Sequence, residues 1–133
     1  MAITQMAGTA VQGEVVLVVE DEQVLRDYIT DVLSHAGFSV ITADSADEAL
    51  TLLDQRSDIS AVVTDVEMPG RYNGLALAWQ AGAKSRPAII ISGHIVAGED
   101  ELPDGTRFVA KPFEPATLLT ELREALTRRS PST

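Results

Sequence analysis

The stretch Val15-Val16-Leu17-Val18-Val19-Glu20-Asp21 places five aliphatic residues in a row and then two carboxylates. No polar residue alternates with the aliphatic ones, so the run suits a strand buried on both faces of a parallel sheet. Behind it Val24, Leu25, Tyr28, Ile29, Val32 and Leu33 recur at the spacing of an amphipathic helix, and His35 followed by Gly37 supplies a C-terminal stop. A strand feeding a helix is the unit, and it repeats. Phe38–Thr42 is rich in β-formers, and Ser45 can cap a helix whose Ala46, Ala49, Leu50 and Leu53 share a face. Ile59–Thr64 reads as a third strand. After the turn Met68-Pro69-Gly70 and Gly74, a third helix fits Leu75–Ala83, with Trp79 explained as helix packing. Ala88–Ile91 and Thr106–Ala110 read as strands four and five, and a last helix starts near Pro115 with Leu118, Leu119, Leu122 and Leu126 inward and Arg128-Arg129 at its end. Strands alternating with helices, joined by right-handed crossovers, predict a doubly wound α/β fold: an open parallel sheet of five strands with helices on both faces. Between Gly93 and Gly105 the acidic Glu99, Asp100, Glu101 and Asp104 sit among Gly98, Pro103 and Gly105, so the fourth helix is expected to be short or irregular.

Composition narrows the function. The chain has 133 residues, 10 basic and 20 acidic, a formal charge of −10 and no cysteine. One domain of this size buries roughly two-thirds of the surface its unfolded chain exposes, enough for a core without staples. The acidic balance argues against direct nucleic-acid binding and against docking on an anionic membrane. The absence of cysteine removes disulfides, thiolate metal sites and cysteine nucleophiles together. Met1–Gly13 carries no positive side chain and no long apolar run, so it does not read as a signal peptide, and no run approaches the ~20 residues of a membrane-spanning helix. A cytoplasmic protein with no membrane insertion is the expectation.

In open parallel sheets ligands bind beyond the C-terminal ends of the strands. The polar residues that fall there are Glu20 and Asp21 after strand one, Asp65 after strand three, Ser92 after strand four and Lys111 after strand five. Each has an ordinary reading taken singly: Asp21 as a helix cap, Glu20 as a solvated edge residue, Asp65 and Ser92 as turn residues, Lys111 as a solvated lysine. Together they ask for more. Carboxylates converging on one edge repel unless a cation sits between them, and an all-oxygen set completed by waters and a phosphate oxygen suits Mg²⁺. A lysine and a hydroxyl opposite would meet the remaining oxygens of a transferred phosphoryl group. One carboxylate is then free to act as nucleophile, and Asp65, lying between the others, is the candidate.

These residues resemble the receiver domain of bacterial two-component response regulators, the chemotaxis-regulator-like family. The match runs from Glu14 to about Arg129 and rests on Glu20-Asp21, on Asp65 in Val62-Val63-Thr64-Asp65-Val66-Glu67-Met68-Pro69-Gly70, on Ser92-Gly93 and on Lys111-Pro112-Phe113. The resemblance implies a flavodoxin-like strand order, 2-1-3-4-5, for a receiver domain at 14–129, flanked by a flexible N-terminal tail at 1–13 and a C-terminal tail at 130–133. It implies that Asp65 is the phospho-acceptor for a sensor histidine kinase or phosphotransfer protein, and that Mg²⁺ is held by Asp21 and Asp65, by Glu20 mainly through water and by the backbone carbonyl of Glu67. Ser92 and Lys111 would hold the phosphoryl oxygens, with the Lys111–Pro112 bond in cis. Phe108 would be the switch aromatic that turns inward as Ser92 moves toward the phosphate. Two departures stand out: the loop Met68–Gly74 is one residue longer than the common pattern, and the segment between Ser92 and Lys111 is abbreviated, so the output face is expected to differ. Glu67 and His94 lie where the family tunes phosphoryl lifetime; a solvated loop histidine is the ordinary reading of His94. The expectation is a stand-alone switch with an unknown downstream protein target, not an enzyme but a phospho-acceptor that promotes its own phosphorylation and dephosphorylation. Arg26 and Asp27 of the first helix are candidate docking residues. The alternatives are a Mg²⁺-dependent phosphohydrolase or other metal-dependent phosphoryl-transfer enzyme, which would need a specificity pocket, and an interaction module that no longer uses phosphate.

Overall fold

The structure is a computed structural model and describes residues 13–66, 73–93 and 102–128. Its elements in chain order are β1 (Val15–Val19), α1 (Gln23–His35), β2 (Ser39–Ala43), α2 (Ala46–Gln55), β3 (Ile59–Asp65), α3 (Gly74–Ala83), β4 (Ala88–Ser92), β5 (Arg107–Ala110) and α4 (Pro115–Arg128). All strand pairs are parallel and the sheet order is β2-β1-β3-β4-β5. This is the doubly wound, flavodoxin-like order.

Alternation along β1 divides the core in two. Val16 and Val18 face Ile29 and Leu33 of α1 and Leu118, Leu122 and Leu126 of α4. Leu17 and Val19 face the other way, onto Ala46, Ala49 and Leu53 of α2 and Leu77 and Ala81 of α3. Both faces of β1 are therefore dry, which is why the strand reads as an unbroken aliphatic run. Each leucine buried in this way stabilises the fold by about 1.5–3 kcal/mol relative to its exposure to water.

The helix ends explain where the strands start. α1 stops at Gly37, whose φ is +102°, with Gly37 N–H on the Ser34 carbonyl at 3.1 Å and Phe38 N–H on the Leu33 carbonyl at 3.1 Å. Phe38 belongs to this cap, so β2 starts one residue later than the β-rich pattern predicts and runs on to Ala43. Ser45 caps α2 through the Glu48 N–H, as expected, and Asn73 caps α3 through the Ala76 N–H at 3.0 Å. β3 and β4 each run one residue past the expected end, to Asp65 and Ser92, because Asp65 pairs with Ile91 and Ser92 with Ala110.

Trp79 corrects the sequence reading. It is 51% exposed, not packed, because α3 turns Gly74, Leu77, Ala78 and Ala81 inward and residue 79 falls on the outer side. The helix expected between β4 and β5 falls largely on 94–101, outside the described residues, as do Glu67, His94, Arg129, the turn Met68-Pro69-Gly70 and both tails apart from Gly13.

Candidate functional site

The sequence-nominated groups gather at the C-terminal edge of the sheet. β1 ends at Val19 and delivers Glu20 and Asp21 beyond it, β3 carries Asp65 as its last residue, β4 ends on Ser92, and Lys111 follows β5. Parallel register makes this one place. Oxygens of Glu20, Asp21 and Asp65 lie within 4.8 Å of one another. Lys111 Nζ donates to Asp65 Oδ2 at 2.9 Å, and the Lys111 backbone N–H donates to the Ser92 carbonyl at 2.9 Å. The Lys111–Pro112 peptide is cis. Glu20, Asp65 and Ser92 are buried, while Asp21 is exposed at the mouth.

Several ordinary readings fall away. Glu20 is 2% exposed, so it is not a solvated edge residue. Asp21 does not cap α1: the cap position is Glu22, and it makes no side-chain cap bond. Asp65 belongs to a strand, not a turn, and Lys111 is tied to it by an ion pair.

Burial pushes the Glu20 carboxyl up to about 7, with the neighbouring Asp65 carboxylate adding to the rise and the Glu22 N–H on Glu20 Oε2, at 2.9 Å, opposing it. For Lys111 burial pulls the ammonium down, but the hydrogen bond and charge of Asp65, with Glu20 and Glu22 behind it, outweigh that and raise it above its ordinary value. The site thus holds excess negative charge that one lysine only partly offsets.

Two residues support the site in ways that their sequence pattern does not announce. A Cβ at Gly74 would meet the Asp65 carbonyl oxygen at 2.1 Å and Val66 Cα at 2.8 Å, so the first residue of α3 rests on the backbone of the candidate acceptor. Arg26, a candidate for exposed docking, turns back instead and donates from Nη1 to the Glu20 carbonyl at 2.8 Å, leaving Asp27 as the exposed residue of that pair. A glycine at a helix start and an arginine one turn into a helix have many uses, and only the packed structure shows which contacts they make. Phe108 is half-buried and packs with Val66, Leu75 and Leu102 around Ala78, Ala88 and Ile90.

The donor set fits Mg²⁺. It is all oxygen, it combines buried and exposed carboxylates within reach of a single ion, and the buried Glu20 carboxyl is one that a cation would help to ionise.

The chain belongs to the response regulator receiver domain family, whose model matches residues 16–123. It is 36% identical over 124 residues to the response regulator MprA of a Mycobacterium species, covering 87% of this chain and 52% of that protein. It is 29% identical over 121 residues to the aerobic respiration control protein ArcA of Escherichia coli, covering 85% of this chain and 48% of that protein. A response regulator receiver protein from Sinorhizobium medicae superposes with a TM-score of 0.82 at 28% identity, covering 91% of this chain and all of that one. The chain spans between 19% and 58% of the length of such curated relatives, so the stand-alone organisation expected from chain length is not a property these relatives share. Membership places the chain among the receiver domains of two-component response regulators. Among the described residues no helix is long and apolar enough to cross a membrane.

Proposed function

We propose that the protein is a signalling switch in which Asp65 accepts a phosphoryl group from a phosphohistidine on a sensor kinase or phosphotransfer protein and the new charge alters its protein-binding surface. The observation that carries this reading is the Lys111 ammonium on Asp65 Oδ2 at 2.9 Å, beside the Glu20 and Asp21 carboxylates. A carboxylate oxygen of Asp65 attacks phosphorus, a P–O bond forms as the P–N bond breaks, and the leaving imidazole takes a proton from solvent. Lys111 moves its hydrogen bond from the carboxylate to a phosphoryl oxygen, where negative charge develops, and the Ser92 hydroxyl meets another. Bound Mg²⁺ supplies the charge that lets an anionic donor approach this cluster; Asp21 and Asp65 would hold it directly, Glu20 through water and Glu67 through its backbone carbonyl. The same groups serve the reverse attack of water, so the protein promotes its own phosphorylation and dephosphorylation. Phe108, half-buried on β5 three residues before Lys111, is the element that repacks as Ser92 turns to the phosphate, presenting a changed β5 surface to a downstream protein. The receiver unit is taken as 14–129.

Intact-protein mass after incubation with Mg²⁺ and acetyl phosphate tests this. One added phosphoryl group, labile in hydroxylamine and absent with EDTA or in Asp65→Asn, is the expected result. An adduct that persists in Asp65→Asn would move the acceptor elsewhere. No adduct, together with no change in the NMR spectrum on beryllofluoride addition, would mean the site is inactive.

A further inference from the structure

The described part of α1 holds a contact that the reading of the site above does not use. Arg26 reaches back six residues, and its Nη1 donates at 2.8 Å to the backbone carbonyl of Glu20. The same Glu20 is held at two further points: its N–H donates to the Ala43 carbonyl of β2 at 3.1 Å, and its Oε2 accepts from the Glu22 N–H at 2.9 Å. The residue that links strand β1 to the acidic cluster is thereby fixed at its amide, its carbonyl and its side chain.

This arginine gives its own helix little. A cation turned toward a helix N-terminus opposes the macrodipole, and that end of α1 has no side-chain cap bond. What the side chain gains lies at the strand end: a charge-assisted bond to a carbonyl at the entrance to a cluster of carboxylates. Arg86 provides a contrast at the other end of β3. Its guanidinium donates to the carbonyls of Ile59, Lys84 and Ser57, far along the strand from Asp65, where it can only join loops.

We infer that Arg26 is a positioning residue for the cation site: by clamping the Glu20 carbonyl it fixes where the Glu20 carboxylate and the adjoining Asp21 stand, and so sets the affinity for Mg²⁺. The inference rests on the reading of Glu20, Asp21 and Asp65 as the metal site. It makes a prediction whose sign opposes simple electrostatics. Removing a positive charge beside an intact anionic site would tighten cation binding, whereas losing the clamp loosens it.

Calorimetric titration with Mg²⁺ alone, without phosphodonor, separates the two. Arg26→Gln is expected to raise the Mg²⁺ Kd by about tenfold, the scale on which supporting contacts act on metal sites. Arg26→Lys keeps the charge but is shorter, more strongly hydrated and without the planar fork, and is expected to lose several-fold. An equal or lower Kd in Arg26→Gln would overturn the proposal, and should that variant fail to fold, a wild-type Kd in Arg26→Lys would overturn it instead. Melting in EDTA identifies a merely structural arginine, which would lower the melting temperature and leave the Kd of the folded protein unmoved. If the wild-type protein itself binds no Mg²⁺, the reading of the site fails and the clamp with it; if the wild type binds and both variants bind equally well, only the role of Arg26 fails.

Discussion

Gly74 carries the sharpest steric demand at the site. The atoms a side chain would strike are the Asp65 carbonyl oxygen and Val66 Cα, both backbone, so no rotamer change relieves the clash. Gly74→Ala must therefore move α3 or the end of β3, and we expect a loss of about 1–3 kcal/mol in urea unfolding together with slower phosphorylation of Asp65. Stability within about 0.5 kcal/mol of wild type would show that the junction yields freely. Sequence reading treated Gly74 as loop punctuation. The positions of Glu20, Asp21, Asp65, Ser92 and Lys111 were legible because each stands at or just beyond the end of a recognisable strand, and strand ends in a parallel sheet share one edge. What lay outside the pattern was support from elements distant in sequence, such as α3 beneath Asp65.

Among the elements, α3 shows how a helix end can be held by a poor residue. Its C-terminal turn closes with the Arg86 N–H on the Ala81 carbonyl at 2.8 Å and the Ser85 N–H on the Gly82 carbonyl at 2.9 Å, which leaves Ser85 at φ 63°, in the left-handed region. α1 uses the same turn with Gly37 at that position. A serine there carries a steric penalty that glycine avoids, offset in part by glycine's greater freedom in the unfolded chain. Ser85→Gly is therefore expected to stabilise the protein by up to about 1 kcal/mol, read as a higher urea midpoint with unchanged slope. A fall in the midpoint would mean that the Ser85 side chain contributes something glycine cannot. The exposed Trp79 makes a related point about α3. The helix carries Leu75, Leu77 and six alanine or glycine residues on every side, so its apolar pattern does not mark an inner face, and only docking onto β3 and β4 selects Leu77, Ala78 and Ala81.

For the molecule as a whole, charge links stability to pH and to metal. The Glu20 carboxyl stands near 7 in the folded protein against an ordinary value of 4.5, so between those values the folded state holds a proton that the unfolded chain has lost. Stability of the metal-free protein therefore falls, through this group, as pH rises from 4.5 toward 7, and the disadvantage is full above 7. Urea unfolding in EDTA, compared between wild type and Glu20→Gln, should show the wild type relatively weaker at pH 8 than at pH 5, by roughly 1–3 kcal/mol. Saturating Mg²⁺ should reduce that deficit at pH 8 by binding the folded wild type more tightly than the variant, which keeps Asp21 and Asp65 but lacks the Glu20 charge. A wild-type-to-variant difference that does not change with pH would show that Glu20 is ionised throughout.

The sequence by itself determined the alternation of strand and helix, the double burial of β1 and the residues at the strand ends, because these follow from local hydrophobic pattern and parallel-sheet geometry. The tertiary structure decided what touches those residues: Lys111 on Asp65, Gly74 against the Asp65 carbonyl, Arg26 on the Glu20 carbonyl, and the outward turn of Trp79. Contacts between elements depend on how helices dock on the sheet, and that docking is a property of the packed whole which no local pattern encodes.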